Sequence, residues 1–482
     1  MAEHTRQHYN LTLAILTIAG AAYALQQTMV IPALPALERE LHTTTTWVTW
    51  VLTVLLLVAS VSTPILGKLG DQHGKERLLV IALVFFFAGC VGAAASWNIW
   101  SLIVFRAVQG LGAAVFPLSF GIIRDEFPRD RIPVAIGLIS AVFGIGGGFG
   151  IVLSGLIVDH LSWRWLFIFG AIPVAVATLL VHRFVPESPI KTPSRVDVVG
   201  ATLLSGGLVC LLLALTEGEG WGWTSGRVLA LFAGAAALLA TWVVAELRVP
   251  EPMVDMRMFV HRPVLLTNVC ALITGFAMFG TFVLIPNFVE APRHLPNEVA
   301  RLVDYGFGAT ATKAGLYLLP SSVALLFAGP AAGVIGRRVG SKWPLAAGML
   351  LAGISAGMLA LWHDEPWQVL AAMPVLGVGV GFAFAAMATL ITEAVRPKET
   401  AVATGMNTVM RTVGGVVGGQ IGAAILSAHW ISGTQVPGVG GFEIAFGISA
   451  AAAVAGAIVA IFVTPSAARR RERLAVAAEP TD

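Results

Sequence analysis

Apolar and polar positions along this chain separate into blocks. Leu11 to Ile31 is one long apolar run, and Leu78 to Ala95 is another that holds no charged residue. A bilayer core needs about 20 apolar residues per helical span. Backbone amides cannot go unpaired in lipid, so blocks of this length predict helices. The alternation of a membrane β-barrel strand is absent. The pattern predicts fourteen spans, near 11–32, 47–66, 78–96, 99–123, 133–157, 165–184, 198–216, 227–245, 264–286, 314–335, 343–362, 367–391, 401–427 and 443–464. The fold expected is all-α and integral to the membrane.

An even count puts both termini on one side. With that side cytoplasmic, 22 of the 30 lysines and arginines fall in cytoplasmic segments and 6 in outer ones, a strong positive-inside bias. Arg106 and Arg411 are the two within spans. Eleven of the 13 tryptophans then fall at outer ends, among them Trp47, Trp100, Trp163, Trp221, Trp367 and Trp430. The expected location is a bacterial cell (inner) membrane, with both termini cytoplasmic. The first apolar block is too long for a signal-peptide core, so no cleavable leader is expected.

Of the 482 residues, 57% are hydrophobic and 12% charged, and the formal net charge is +3. An ordinary soluble domain carries roughly 25% charged residues. These values exclude a soluble enzyme, a disordered chain and a nucleic-acid module. Cys90, Cys210 and Cys270 lie inside apolar blocks and read as small hydrophobes. There is no metal-spaced His/Cys/Asp cluster and no nucleophile–base pair, so no metal, cofactor or enzymatic activity is expected.

The segment Gly67-Lys-Leu-Gly-Asp-Gln-His-Gly-Lys-Glu follows span 2, and Gly333-Val-Ile-Gly-Arg-Arg-Val-Gly-Ser-Lys follows span 10. Both read as short basic loops punctuated by glycine at matching places. Spans 5 and 13 are both glycine-rich. An offset of eight spans in both pairs fits a six-helix repeat with two helices inserted between the copies, the construction of many transporters. The divisions expected are 1–185, a six-helix bundle; 186–262, two inserted helices with linkers; 263–464, a second six-helix bundle; and 465–482, a basic cytoplasmic tail on anionic lipid.

Residues Gly67 to Arg77 resemble the loop signature of the major facilitator superfamily. Leu102-Ile-Val-Phe-Arg106-Ala-Val-Gln109-Gly110-Leu-Gly112 resembles its span-4 signature. Ser162-Trp-Arg-Trp-Leu-Phe, Pro173, Asp197-Val-Val-Gly200, the Gly220-Trp-Gly-Trp turn and Ala401 to Arg411 are similar to the fourteen-span drug:proton antiporter branch. The resemblance covers essentially the whole chain. It implies export by alternating access, driven by the proton gradient.

Arg106 is the sharpest residue. A mid-helix cation costs at least about 2.5–3.5 kcal/mol on insertion scales, so it should face the bundle interior. The resemblance implies a proton-transfer role for it with Gln109. A structural arginine satisfied by carbonyls and Gln109, three residues on, is the alternative. The resemblance also implies a conformational latch of Asp71, Lys75, Arg77 and Asp125, with Asp71 capping a helix of the other half and Lys75 and Arg77 reaching Asp125; a plain positive-inside loop with a turn is the alternative. Gly144, Gly148, Gly150 and Gly155 are expected helix-packing positions. The antiporter pattern is incomplete there, since Ile151 stands where it has proline and Ser154 where it has glycine. Arg411 lies between two readings, snorkelling to the inner surface or packing inside.

The branch carries an acid in span 1 where this chain has Gln26. No acidic residue falls near a predicted midplane, so the proton carrier is not apparent. A positive cavity without an acid favours neutral or anionic substrates over dications. Gln26, Gln27, Asn268, Asn407 and Arg411 are the polar candidates for substrate contact. Phe116, Phe143, Phe276, Phe279, Phe382 and Phe384 are the apolar ones. Expected partners are a lipophilic small molecule, protons and membrane lipids, with the chain acting as a monomer. Export of lipids or lipid conjugates, and a receptor or scaffold without turnover, are the competing readings. The long outer segment from Asn287 to Lys313 is expected to cover the outer opening, to rest on the membrane surface, or to be a tolerated insertion.

Overall fold

A computed structural model describes residues 9–188, 197–291, 305–431 and 436–464. The helices are α1 (Tyr9–Thr28), α2 (Leu34–Glu40), α3 (Thr45–His73), α4 (Lys75–Ala94), α5 (Ile99–Gly110), α6 (Val115–Glu126), α7 (Ile132–Ala141), α8 (Ile151–His160) and α9 (Arg164–Phe184). They continue as α10 (Val198–Trp221), α11 (Gly226–Glu246), α12 (Met256–Phe259), α13 (Arg262–Glu290), α14 (Ala311–Val339), α15 (Lys342–Leu361), α16 (Pro366–Ala394), α17 (Thr400–Ala428) and α18 (Val439–Ile461). No strand occurs among the described residues beyond one isolated bridge, Trp430 with Pro437. Thirteen helical stretches among them are long and apolar enough to cross a membrane.

The span expected near 133–157 is broken into α7, a π-helical segment Ile145–Gly150 and α8. Its five glycines between 144 and 150 give little local support to a regular helix. Wider π turns occur as short insertions of this kind. Span 4 likewise carries a 3₁₀ turn, Leu111–Ala114, between α5 and α6. Gly110 packs there against Val58 and Gly112 against Phe86, each leaving no room for a side chain.

Two six-helix bundles meet along two seams. On one seam α3 packs on α17; on the other α14 packs on α7, the π segment and α8. The second seam is backbone against backbone: Gly137 faces the Gly329 carbonyl, and Gly333 faces that of Pro133. The inserted helices α10 and α11 pair with each other. Leu204, Leu208 and Leu212 of α10, Trp242 of α11, and Met253 and Val254 of the following linker bury against Val402, Met406, Val409 and Val413 of α17. Val61 and Ile65 of α3 border the same cluster, so the inserted pair covers the α3–α17 seam.

The two segments expected as loops are mostly helix. Asp71 to His73 is the last turn of α3, and the chain turns only at Gly74, where φ is +122°. In the repeat copy α14 runs to Val339 and turns at Gly340, where φ is +98°. Left-handed φ favours glycine, which has no Cβ to clash. Each turning glycine donates its N–H to the glycine four residues back, Gly74 to Gly70 and Gly340 to Gly336. In the Asn287–Lys313 segment, residues 305–309 fold back on the end of α13, with the Phe307 and Ala309 amides donating to the Val289 carbonyl. Residues 292–304, with the amphipathic piece expected there, and the basic tail lie outside the described residues.

Candidate functional site

At the end of the bundle carrying residues 67–77, Lys75 is fully buried between two carboxylates. Its Nζ lies 3.2 Å from Asp71 Oδ1 and 2.7 Å from Asp125 Oδ2. Gly121 of α6 makes room for the lysine stem, since a Cβ there would lie 2.7 Å from Lys75 Cδ. The other oxygen of Asp71 accepts from the Val402 amide at 3.2 Å, in the first turn of α17. A carboxylate at a helix N-terminus satisfies an orphan N–H and meets the positive end of the dipole. Gly67 allows this approach, because a Cβ there would lie 2.8 Å from the Ala401 carbonyl oxygen. Asp71, Lys75 and Asp125 thus come together where α3, α4 and α6 meet.

Arg77 does not join them. Its side chain is exposed, and its backbone amide, with that of Glu76, donates to the Glu187 carboxylate. The start of α4 turns residue 77 away from α6, and Glu187 caps that start. Ser188 donates its hydroxyl to Asp125 Oδ2. Arg124 reaches across to the second bundle, donating to Thr400 Oγ1 at 2.8 Å and to the Val395 carbonyl at 2.7 Å, where α16 ends. A cation there complements the negative helix terminus. Arg337 stands in the repeat where Asp71 stands in the first copy, three residues before the turning glycine. It donates to the Asp130 carbonyl at 2.9 Å, just ahead of α7. Matching positions thus grip the opposite bundle with reversed polarity. Sequence reading missed Arg124, Glu187, Ser188 and Arg337; only the adjacency of Arg124 to Asp125 offered a signal.

In the middle of the bundle Arg106 is fully buried. Its Nε donates to the Val51 carbonyl at 3.0 Å and one terminal nitrogen donates to Gln109 Oε1 at 2.7 Å. Gln109 in turn donates to Cys90 Sγ at 3.1 Å. The guanidinium is therefore turned inward and tied to α3 and its own helix.

Arg411 is half-buried and does not snorkel. Its guanidinium carbon lies 4.8 Å from the Phe143 ring centroid and 4.3 Å from that of Phe384. Phe143 belongs to the first bundle, in the turn before the π segment, and Phe384 to α16 of the second. Phe143 also stacks on Phe116 at 4.2 Å and meets Phe384 edge-on at 5.3 Å. Tyr23 packs edge-on against Phe116 and lies in the field of both Arg106 and Arg411. An aromatic box holding a guanidinium thus joins the bundles at their centre. Tyr23, one of only 4 tyrosines, was not singled out from the sequence.

Other expected cavity residues lie elsewhere. Gln26 is fully buried within the first bundle, its carboxamide filling the space left by Gly170 of α9. Asn407 donates to Asn268 Oδ1 at 2.9 Å, so these amides pair across α13 and α17 inside the second bundle. Phe382 turns toward Gly348 of α15. At about 100° per residue, a position two away from Phe384 falls on nearly the opposite face. Gln27 and Phe276 are half-buried, and the Phe279 side chain lies outside the described residues. Of the packing glycines, Gly144, Gly148 and Gly155 face α14, through Ser322 and Thr312. Gly150 instead faces Thr28 of α1.

The model of the Major Facilitator Superfamily matches residues 16–302 and 299–480. The tetracenomycin C resistance and export protein of Streptomyces glaucescens is 28% identical over 340 residues, 70% of this chain and 60% of that protein. Multidrug resistance protein 3 of Bacillus subtilis is 30% identical over 270 residues, 56% of this chain and 50% of its own. The chain thus spans less than two thirds of the length of either. Among solved structures, the human organic anion transporter MFSD10 (TETRAN) superposes with a TM-score of 0.65 at 12% identity, covering 94% of this chain and all of that one. With a helical repeat, a paired insertion and a family match running nearly end to end, this multi-pass membrane protein belongs to the Major Facilitator Superfamily.

Proposed function

We propose that the chain is a secondary exporter of lipophilic or amphipathic small molecules, working by alternating access as a proton antiporter. It favours neutral or anionic substrates over dications. On this reading it acts as a monomer in a bacterial inner membrane, with both termini and the latch end cytoplasmic. The bundles then comprise residues 1–185 and 263–464, with 186–262 inserted. The single observation that carries the proposal is the aromatic box at the centre, where Arg411 lies against a ring from each bundle. A positive, ring-lined site there suits an apolar guest and repels a dication.

The cross-bundle contacts of Asp71, Arg124 and Arg337 support the alternating part. They hold one end shut and must break when that end opens, and such differential contacts are what bias a two-state equilibrium. The printed names of the bacterial relatives, a tetracenomycin C export protein and a multidrug resistance protein, agree with the direction.

The test uses the full chain in proteoliposomes with an imposed pH gradient. Lipophilic neutral and anionic dyes should be moved, with a matching proton flux that an uncoupler abolishes. Absence of gradient-driven movement for every dye would overturn the exporter reading. Equal transport of dications would overturn the selectivity.

A further inference from the structure

Resting on the exporter reading, we infer that the Phe143–Arg411–Phe384 cluster is an anion-recognition site for a planar aromatic carboxylate, which binds by taking Arg411 off the two rings. The guanidinium is tied to nothing stronger than those rings. Among the described residues it has no hydrogen-bond acceptor and no carboxylate within ion-pair distance. Arg106 is different, being held by Val51 and Gln109. Arg411 therefore keeps its fork of N–H donors for a guest, and the fork matches a carboxylate bidentately.

The rings explain the aromatic part. Cation–ring attraction is weaker than a charge-assisted bidentate pair, so an arriving carboxylate outcompetes them. As the guanidinium turns away, it uncovers the ring faces it occupied. Phe143 and Phe384 meet edge-on at 82°, and the corner so vacated offers an aromatic guest a ring face to pack on, with Phe116 stacked on Phe143 at 4.2 Å to hold that ring in place. Charge at one end and a flat ring at the other describe one chemical class. The same exchange reaches the gate, because Phe143 and Phe384 stand on opposite bundles. Arg411 lies against both when no guest is bound, and the guest replaces that contact.

The test compares 2-naphthoate with its methyl ester, which keeps the ring and removes the charge. Binding to the full chain in detergent is followed by calorimetry. In the unmodified protein the carboxylate should bind about tenfold or more tightly than the ester, the scale of a charged hydrogen-bonded pair. Arg411→Gln should bring the ratio near one. Arg411→Lys, which keeps charge without the planar fork, should leave an intermediate ratio. Equal affinities in the unmodified protein overturn the inference without need of any variant, as does a ratio unchanged in Arg411→Gln. Either result would leave gradient-driven export of neutral dyes intact, whereas loss of all transport strikes at the exporter reading itself.

Discussion

Asp71→Asn isolates the latch with little disturbance to folding. Asp71 touches the second bundle through its Oδ2, which accepts from the Val402 amide at 3.2 Å. Its contact with Lys75 lies within the first bundle and need not change when the end opens. A bond to a charged acceptor contributes about 1.5–3 kcal/mol and a neutral one about 0.5–1.5 kcal/mol. Asparagine keeps an acceptor oxygen, so the closed state loses about 1–1.5 kcal/mol, close to a tenfold shift in the conformer ratio. Lys75 is not stranded, because Asp125 remains at 2.7 Å. Removing Asp125 instead would confuse gating with stability, since stripping a partner from a buried pair costs about 3–5 kcal/mol. The assay is a spin-label distance between Arg183 and Arg338, both exposed at the latch end on different bundles. Cys210, the half-buried cysteine, is first changed to serine. A longer-distance population should grow about tenfold relative to the shorter one. An unchanged distribution would refute the assignment of Asp71 as a contact that biases the two states.

Gly137→Val puts bulk into the backbone contact with Gly329. Overpacking of this kind costs about 1–3 kcal/mol, and it should deplete the closed population in the same distance measurement while each bundle stays folded. Arg106→Lys keeps the charge but loses the fork that holds both Val51 and Gln109. Thermal unfolding followed by thiol-reactive dye should show a loss of about 1–3 kcal/mol, and an unchanged midpoint would count against a tethered arginine. Trp242→Phe removes the indole that donates to Glu246 at 2.8 Å, while Glu246 keeps the Val254 amide at 3.2 Å. Hydrogen exchange should rise across 247–256 and stay constant in α4 and α9; uniform protection would contradict the role of Glu246 as an anchor for that linker.

Thirteen of the fourteen expected spans were legible because apolar block length is a one-dimensional property, whereas the break in the span near 133–157 was not. The repeat was legible for a similar reason, since Gly70 and Gly74 recur in register as Gly336 and Gly340. Lys75 between Asp71 and Asp125 could also be anticipated, because opposite charges at the end of a bundle have few other partners. What failed was facing. Gln26, Phe382 and the Asn268–Asn407 pair sit on spans without amphipathic contrast, so periodicity gave no direction for their side chains. Gln26 points at α9 because Gly170 leaves a hole there, a fact about another helix. The helical continuation through Asp71 was hidden by glycines, which usually mark turns and here serve as flat contact points against α6 and α17. Tyr23 escaped notice since nothing local marks a tyrosine that lies between two distant arginines.

The inserted pair has a consequence for how a lipophile dissolved in the bilayer arrives. By roofing the crevice between α3 and α17, α10 and α11 wall off one of two sideways approaches to the centre. Among the described residues no inserted pair covers the seam along α14, and Phe327 and Leu316 of α14 stand open at 74% and 46%. The two seams are thus unequal toward the leaflet, one screened by the inserted pair and the other formed by α14 packed directly on α7 and α8.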